Sequence, residues 1–442
     1  MKPQFLIGGI ALGSGKTTFM LGLMRVLRDR GLSVQPFKCG PEMMDRHFHS
    51  LIADRESVNL DAWLSGRTHL QHLYNRFGEG ADACVVDGQL ALFDGYRKYQ
   101  GSSAEIASFL RIPVILVINA RVSSYSLTPI LYGFKRFYSG IKVAGVVFNQ
   151  VNSASQYAYL KSICADAGLE AFGYLPFDAE LKLPSRHAGL TLNMRKELET
   201  YAEKVARMIE STVELNKLLN LTHREFPCRY TLPYTSDVES DTCLAFRPKL
   251  KIAVARDLAF HALYPVTLKR FSQLGTLSFF SPVYGNELPE ADILYLPDGC
   301  QELFARQLHR RRRLMDQIKQ FAEQGGKILA EGGALAFLGN TMATRIGGTN
   351  YNMVGLFPFD FVCSDKKPQL GYREIPYNGM ALRGYECNYN SMVSETDTKY
   401  VVANAVNLKG QEVNSPLYRY KNVLATPVQL YLGETEIEKL WL

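Results

Sequence analysis

The sequence lacks the features of membrane, secreted and zinc-finger proteins. No apolar run reaches the roughly 18 to 20 residues that a membrane-spanning helix needs. The start, Met1-Lys2-Pro3, leads directly into a predicted strand and has no signal-peptide pattern. Eight cysteines are scattered without a CxxC pair or a His/Cys ligand spacing, which argues against both a zinc site and a disulfide framework. These absences predict a cytoplasmic protein with reduced thiols and no membrane partner.

An excess of one charge is also absent. The 442-residue chain has a net charge of +7, which is modest for its length and favours anionic ligands in general. Its densest basic run, Arg306 to Arg313, lies where apolar residues recur at helical spacing, so we predict a solvated helix face there and no nucleic-acid partner. With 47% hydrophobic and 21% charged residues, the composition is that of a globular protein of two or three domains.

A glycine-rich stretch near the start has the pattern of a phosphate-binding loop. It follows an apolar run, Phe5 to Ile7, and opens an amphipathic segment that ends near Arg28, so a strand, a turn and a helix N-terminus are predicted. Backbone N–H groups there approach an anion, Lys16 neutralises terminal phosphates, and Thr17 offers a hydroxyl to Mg²⁺. The predicted ATP-binding residues are Gly9, Gly13, Ser14, Gly15, Lys16, Thr17 and Thr18.

The spacing of this loop differs from that of the usual P-loop. Five residues separate Gly9 from Gly15, whereas the usual motif has four. The longer loop resembles the dethiobiotin synthetase type, in which ATP activates a carboxylate.

Polar side chains follow several of the predicted strands of the first half. These strands are Ser33 to Lys38, Ala83 to Val86, Pro113 to Ile118 and Val143 to Phe148, and their apolar runs are typical of a covered parallel sheet. Because ligands bind at the carboxyl edge of such a sheet, the acids that follow these strands are candidate Mg²⁺ contacts. The candidates are Glu42, Asp45 and Asp87. Asn149 is interpreted either as a contact to an adenine edge or as a simple cap.

A second α/β unit follows a stretch of linker composition. We predict a first domain over residues 1–217, a linker over 218–248 and a second domain over 249–442. In the second domain a strand from Lys327 to Ala330 runs into Glu331-Gly332-Gly333-Ala334 and a helix over Leu335 to Leu338. Strand, sharp turn and helix is the geometry of a nucleophile elbow.

With both halves in view, the chain resembles the cobyrinic acid a,c-diamide synthase family over nearly its full length. In the first domain the likeness rests on the glycine-rich loop, Pro36-Phe37-Lys38-Cys39-Gly40-Pro41, Ser57-Val58-Asn59-Leu60-Asp61, Leu92-Phe93-Asp94-Gly95 and Pro184-Ser185-Arg186-His187. In the second it rests on Ile252-Ala253-Val254-Ala255-Arg256-Asp257, Phe280-Ser281-Pro282, Leu370-Gly371-Tyr372-Arg373 and Leu382-Arg383-Gly384.

The resemblance implies a fold, an activity and a set of roles. The fold is α/β with two doubly wound domains, an N-terminal dethiobiotin-synthetase-like P-loop domain and a C-terminal glutamine amidotransferase-like domain. ATP would phosphorylate the a and c carboxylates of a corrinoid, and ammonia from glutamine would displace the phosphate. The implied roles are phosphate binding by Lys16 and Lys38, Mg²⁺ binding by Thr17, Asp87 and Glu42 or Asp45, and a place facing the acyl-phosphate for Asp94.

Several matched positions depart from the family where glutamine should be hydrolysed. Gly332 stands where the family has its nucleophilic cysteine, and Gln429 stands where it has the activating histidine. A thioester route needs both groups. Asp298 to Glu302 replaces Gly-Gly-Tyr-Pro-Glu, which puts a carboxylate where an oxyanion would be stabilised. Cys300 lies on another loop, without an evident histidine base, and is not expected to act as the nucleophile.

Three hypotheses remain open at this stage. The first is an ATP-dependent ligase that amidates the corrinoid with free ammonia or with ammonia from a separate glutaminase. The second is a non-catalytic paralogue that binds corrinoid or nucleotide. The third is amidation of another tetrapyrrole such as sirohaem, which the changed loop Gln89-Leu90-Ala91 favours. The expected protein partner is either a second copy of the chain, as a homodimer, or a separate glutaminase.

Overall fold

The computed structural model describes residues 1–122, 124–183, 194–229, 250–285, 287–363, 369–393 and 398–442. The chain divides into two compact units, Met1–Ser240 and Asp241–Leu442. Most of the predicted linker (230–248) and the segment Pro184 to His187 lie outside the described residues, and the predicted domain limits stay predictions. Within the described residues, no helix has both the length and the apolar character needed to cross a bilayer.

The first unit alternates strands and helices along the chain. Its strands are β1 (Lys2–Gly9), β2 (Val34–Cys39), β3 (Val58–Leu60), β4 (Ala83–Asp87), β5 (Val114–Asn119), β6 (Val143–Val151), β7 (Glu170–Pro176) and β8 (His223–Arg224). Its α-helices are α1 (Lys16–Asp29), α2 (Met44–Ala53), α3 (Ala62–Gly78), α4 (Ser103–Leu110), α5 (Leu127–Arg136), α6 (Ala154–Asp166), α7 (Met194–Thr212) and α8 (Leu215–Leu221).

These strands form one sheet in the order β3-β2-β4-β1-β5-β6-β7, and β8 pairs antiparallel with β1. The other strand pairs are parallel, so their carboxyl ends meet at one edge. Strands such as β5 are fully apolar from Val114 to Ile118 and buried, because helices cover both faces. The strands predicted from the apolar runs are confirmed, and the site residues of the first unit gather at the carboxyl edge.

Helix α1, which carries the phosphate-binding loop at its start, is fixed by α7. A Cβ on Gly22 would lie only 2.3 Å from Val205 Cγ1, so this glycine permits the two helices to approach closely. Two ion pairs add to the contact, from Arg25 to Glu199 at 2.9 Å and from Arg28 to Glu199 at 2.8 Å. The base of the loop is therefore held on a packed helix pair.

The second unit has more strands and shorter helices. Its strands are β9 (Leu250–Ala255), β10 (Gly275–Phe280), β11 (Ile293–Leu296), β12 (Lys327–Glu331), β13 (Thr341–Ala343), β14 (Asn350–Asn352), β15 (Asp360–Cys363), β16 (Gln369–Tyr377), β17 (Met380–Asn388), β18 (Asn390–Met392), β19 (Val401–Val406), β20 (Glu412–Tyr420), β21 (Val423–Thr426) and β22 (Gln429–Leu430). Its α-helices are α9 (Pro265–Leu274), α10 (Ala305–His309), α11 (Arg312–Glu323) and α12 (Ala334–Leu338).

Ten of these strands form one mixed sheet, in the order β10-β9-β11-β12-β21-β20-β19-β16-β17-β22. It is parallel from β10 to β21 and antiparallel beyond, and β14-β13-β15-β18 form a separate small sheet. The predicted α/β architecture of two domains is confirmed. The apolar runs of the sequence do not predict the antiparallel half of this sheet.

Candidate active site

The phosphate-binding loop connects β1 to α1 at the carboxyl edge of the first sheet. Gly13 and Gly15 adopt the left-handed region, with φ of 74° and 97°, which residues with a Cβ rarely occupy. Gly15 is the N-cap of α1 and has no side chain that could accept a hydrogen bond from the first turn of this helix. The N-terminus of a helix with such a cap suits an anion.

Two polar side chains shape this loop from within. Ser14, which is 2% exposed, donates its hydroxyl to the Ala11 carbonyl oxygen at 2.5 Å. The Asn149 side-chain amide donates to the Ser14 carbonyl oxygen at 3.2 Å. A Cβ on Gly15 would lie 2.0 Å from Asn149 Nδ2, so the glycine is required for this contact. This hydrogen bond connects Asn149 to the P-loop, and the two roles predicted for Asn149, an adenine contact and a simple cap, stay predictions.

The three residues that follow Gly15 point in different directions. Lys16 Nζ donates to the Leu90 carbonyl oxygen at 2.6 Å, which links the P-loop to the loop between β4 and α4. The hydroxyl of Thr18 lies 2.7 Å from that of Tyr201 on α7, so Thr18 joins the helix packing. Thr17 is half-buried between them. Lys16 and Thr17 thus remain the side chains suited to a triphosphate.

Lys38, the end of β2, is the centre of a buried ionic cluster. It is 3% exposed, and its Nζ lies 3.2 Å from Asp87 Oδ2 and 3.9 Å from Asp45 Oδ2. Nζ also donates to the Gly88 carbonyl oxygen at 3.2 Å. Burial lowers the pKa of Lys38, but Asp87, Asp45 and Glu42 raise it by more, so the pKa is above its usual value and the side chain is a permanent cation.

The buried His49 was missed by the sequence analysis. This residue of α2 is 0% exposed, and its Nε2 lies 3.5 Å from Asp87 Oδ2. No spacing in the sequence connects it to Asp87, since the two are brought together only when α2 packs on the sheet. His49 therefore belongs to the same buried cluster as Lys38.

The loop after β2 is held by its own side chains and by the next strand. Glu42 accepts hydrogen bonds from the backbone N–H of Met44 at 2.9 Å and of Asp45, and so caps α2. Asn59, in β3, donates to the carbonyl oxygens of Gly40 at 2.8 Å and Glu42 at 3.0 Å. The Ser57 to Asp61 motif is thereby explained, because Asn59 fixes the loop and Asp61 caps α3.

The predicted magnesium residues fit a Mg²⁺ ion that binds together with a nucleotide. Neither carboxylate oxygen of Asp87 has a hydrogen-bond donor at bonding geometry in the described part of the chain, although the residue is fully buried. No group of three or more His, Cys, Asp or Glu in the described ranges could hold a metal alone. Mg²⁺ commonly takes one or two carboxylates and completes its sphere with phosphates and water. Asp87, Asp45 and the Thr17 hydroxyl match that donor set, whereas Glu42 is engaged as a cap.

Asp94 lies in the loop that Lys16 contacts. Its side chain is exposed, and its backbone N–H donates to the Ala91 carbonyl oxygen at 3.1 Å. A Cβ on the neighbouring Gly95 would lie 2.0 Å from the Gln100 carbonyl oxygen, so the loop is tightly folded there. The structure thus presents Asp94 to solvent on a loop tied to the P-loop.

In the second unit the elbow is retained, but its reactive position is filled. Gly332 has a φ of 56°, and a Cβ there would lie 2.0 to 2.5 Å from the carboxylate atoms of Asp298. Asp298 Oδ1 accepts hydrogen bonds from the N–H of Gly333 at 2.8 Å and of Gly299 at 2.7 Å. At an elbow, the N–H after the nucleophile stabilises the oxyanion. The Asp298 carboxyl group occupies that donor here.

The groups around this elbow are not poised for nucleophilic attack. Gln429, which is 5% exposed, donates its side-chain amide to the Ala262 carbonyl oxygen at 2.8 Å. Burial, followed by Glu302 and Asp298, raises the pKa of the Cys300 thiol far above its usual value. A thiol held protonated is a poor nucleophile. The expectation that Cys300 does not replace the lost cysteine agrees with this environment.

Comparison with known proteins gives two domain matches. Residues 6–190 match the CobQ/CobB/MinD/ParA nucleotide binding domain, and residues 251–432 match the CobB/CobQ-like glutamine amidotransferase domain.

Several curated relatives are similar over most of the chain. A cobyrinate a,c-diamide synthase of Caldanaerobacter subterraneus subsp. tengcongensis is 33% identical over 98% of this chain and 96% of its own length. The same-named protein of Listeria innocua is 35% identical over 89% and 88%. A hydrogenobyrinate a,c-diamide synthase of Brucella abortus is 34% identical over 88% and 90%.

Proposed function

Because the chain belongs to the family of cobyrinate and hydrogenobyrinate a,c-diamide synthases, we propose that it uses ATP and Mg²⁺ to amidate the a and c carboxylates of a corrinoid, with ammonia that its own second domain does not release. The observation that carries this proposal is an asymmetry. The P-loop and the cluster around Lys38 are intact in the first unit, while the Asp298 carboxylate fills the elbow at Gly332 in the second.

The first domain supplies charge neutralisation and positioning. A substrate carboxylate oxygen attacks the γ-phosphate, and ammonia then attacks the acyl carbon and releases phosphate. Phosphoryl transfer needs little covalent help from a protein. Lys16 neutralises the terminal phosphates, and the buried Lys38 adds a fixed positive charge at the same sheet edge. Bound Mg²⁺ would neutralise phosphate charge beside Asp87 and Thr17.

The second domain retains its fold without the groups for glutamine hydrolysis. Gly332 removes the thiol, Gln429 removes the imidazole, and the Asp298 carboxylate would repel a developing oxyanion beside Gly333. The nitrogen source of the proposed reaction is therefore free ammonia or ammonia made by a separate glutaminase.

The decisive assay measures amidation and ATP hydrolysis by the full chain. Cobyrinic or hydrogenobyrinic acid is incubated with ATP and Mg²⁺, with ammonium chloride or with glutamine, and diamide formation is followed by mass spectrometry. With ammonium chloride and no glutamine, we expect the diamide to form and ADP to be released only when the corrinoid is present. Lys16→Ala should abolish both, whereas Lys142→Ala, a change at an exposed lysine, should not.

Each other outcome of this assay has a defined meaning. Product with glutamine alone would contradict the loss of glutaminase. No product under either condition would support the non-catalytic paralogue. Product with sirohaem and none with corrinoids would support the third hypothesis, amidation of another tetrapyrrole.

A further inference from the structure

Two buried amide oxygens beside the elbow lack a hydrogen-bond donor among the described residues. Gln301 is 0% exposed, and its Nε2 donates to the Pro297 carbonyl oxygen at 3.0 Å. Since a carbonyl oxygen only accepts, this bond fixes the orientation of the amide and leaves Oε1 without a donor. Asn390 is arranged in the same way. Its Nδ2 donates to Glu302 Oε2 at 3.2 Å, and its Oδ1 has no hydrogen-bond donor among the described residues.

Both amide groups lie beside the backbone of the elbow. Gln301 Oε1 lies 2.2 Å from the position that a Cβ on Gly333 would occupy, and Asn390 Nδ2 lies 3.5 Å from the same point. The N–H of Gly333 contacts Asp298 Oδ1 at 2.8 Å. One small region beside Gly333 thus contains the amides of Gln301 and Asn390 and, next to them, the carboxylates of Asp298 and Glu302.

The region carries acceptors and negative charge. Glu302 is 8% exposed, and burial raises its pKa. Burial and, to a smaller extent, Glu302 raise the pKa of Asp298 to about 7, although hydrogen bonds from the N–H groups of Gly333 and Gly299 lower it. No Lys or Arg of the described residues is among the groups that shift these two pKa values. Buried acceptors without donors and buried carboxylates without a cation are both costly, and bound cations or waters relieve them.

We propose that Gln301, Glu302, Asn390 and Asp298 form a binding site for a small monovalent cation, and that this cation is ammonium. Ammonium has four N–H donors and no acceptor, so it suits a region of amide and carboxylate oxygens. A divalent metal suits it less, because no group of three or more His, Cys, Asp or Glu in the described ranges could hold one.

The identity of the residues is consistent with a change of ligand from glutamine to ammonium. The resemblance described in the sequence analysis implies glycine and proline of the family at the positions of Asp298 and Gln301. On that resemblance, the carboxylate and one free amide oxygen are additions of this chain. Binding of ammonium is a property of the second domain alone. Its use as the nitrogen source rests on the proposed function.

The test measures ammonium binding without requiring turnover. Thermal unfolding of the full chain is followed while ammonium chloride replaces potassium or sodium chloride at constant ionic strength. A cation that binds only the folded state raises the unfolding temperature in a concentration-dependent way. We expect ammonium to stabilise the wild type more than potassium, sodium or tetramethylammonium do.

Two variants and a matched control locate the site. Gln301→Met and Glu302→Gln should each raise the ammonium concentration at half-effect about three- to tenfold, the effect of one lost hydrogen bond. Gln320→Met, the same change at an exposed residue of α11, should leave it unaltered. Equal responses of all four proteins would overturn the proposal, and equal effects of potassium and ammonium would overturn the identity of the cation.

A second measurement applies if the variants do not fold. Equilibrium dialysis of the wild type against ¹⁵N-ammonium should show saturable binding of one ion that excess sodium does not displace, and absence of such binding would refute the site. If ammonium binds but no corrinoid is amidated, the proposed function fails and the cation site stands. If the corrinoid is amidated, but the rate rises with ammonium concentration without saturation and equally in wild type and variants, the proposed function stands and the cation site fails.

Discussion

The Asp298 carboxylate stands where a side chain on Gly332 would have to begin. Its Oδ1 lies 2.1 Å from the Cβ position of Gly332 and accepts a hydrogen bond from the N–H of Gly333 at 2.8 Å. The elbow therefore keeps its backbone geometry, with the left-handed φ at Gly332, while one carboxylate fills both the place of the nucleophile and that of the oxyanion. In the proposed function, the loss of glutamine hydrolysis therefore depends on three positions: Gly332, Gln429 and Asp298.

The first prediction concerns restoring glutaminase. Gly332→Cys with Gln429→His should give no glutamate above background, since the new Cβ clashes with Asp298 and the oxyanion donor is occupied. Adding Asp298→Gly should restore measurable glutamate release. The gain should be about a hundredfold or more, because one oxyanion donor contributes about 10² to 10³ in kcat.

The control for restored glutaminase is the single variant Asp298→Gly. It has neither the thiol nor the imidazole, so it should release no glutamate above background. Activity of the double variant with Asp298 in place would show that the carboxylate moves away easily and is not the obstacle.

The second prediction concerns pH. Burial raises the pKa of Asp298 to about 7, above its unfolded value, so the folded state binds one more proton than the unfolded state between roughly pH 4 and 7. The free energy of unfolding of the wild type should therefore fall as pH rises through this window. Relative to Asp298→Asn, the loss should be at most about 1.4 kcal/mol per pH unit.

Urea unfolding of both proteins at several pH values checks this, because other titrating groups are shared and cancel. A constant difference between the two proteins from pH 4 to pH 7 would contradict the burial of an ionisable carboxyl at the elbow.

The third prediction concerns Lys38. Lys38→Met removes the cation from a buried cluster and leaves Asp87 uncompensated, so we expect a loss of about 3 to 5 kcal/mol in the free energy of unfolding. Adding Asp87→Asn should recover part of this stability without recovering ATP turnover. Lys142→Met, at an exposed lysine, should change the free energy by less than about 0.5 kcal/mol.

The fourth prediction concerns Asn149. Because its amide holds the Ser14 carbonyl oxygen, Asn149→Ala should weaken nucleotide binding about three- to tenfold. Titration with ATP and with GTP distinguishes this role from a base contact. A positioning residue should weaken both nucleotides equally, whereas a selective loss of ATP would restore the adenine interpretation. The matched control is Asn152→Ala, at an exposed asparagine.

The parallel strands could be predicted from the sequence because their burial on both faces demands continuous apolar runs, as in Val114 to Ile118. The antiparallel strands could not. β16 and β17 are only partly buried and contain Gly371, Arg373 and Glu386, residues that weaken any strand pattern. Arg373 and Glu386 pair at 2.7 Å across these two strands, a contact that only the register creates.

The candidate site also has features that the sequence predicts and features that it does not. Glycine spacing predicts the loop around Lys16, since the backbone conformation itself requires those residues. The sequence indicates that acids such as Asp87 and Asp298 belong to these sites. It does not predict that they contact Lys38 and the backbone at Gly332. That His49 approaches Asp87, that Asn149 holds Ser14 and that Asp298 enters the elbow are consequences of tertiary packing over long sequence separations.

The bond from Lys16 Nζ to the Leu90 carbonyl oxygen has a consequence for the order of events. The ammonium group has three N–H donors, so a triphosphate that binds it either shares it with the Leu90 carbonyl oxygen or displaces that oxygen. In both cases the nucleotide is connected to the segment that carries Asp94. Nucleotide arrival would in this way be communicated to the surface that receives the second substrate. Corrinoid affinity should therefore depend on whether the nucleotide is already in place.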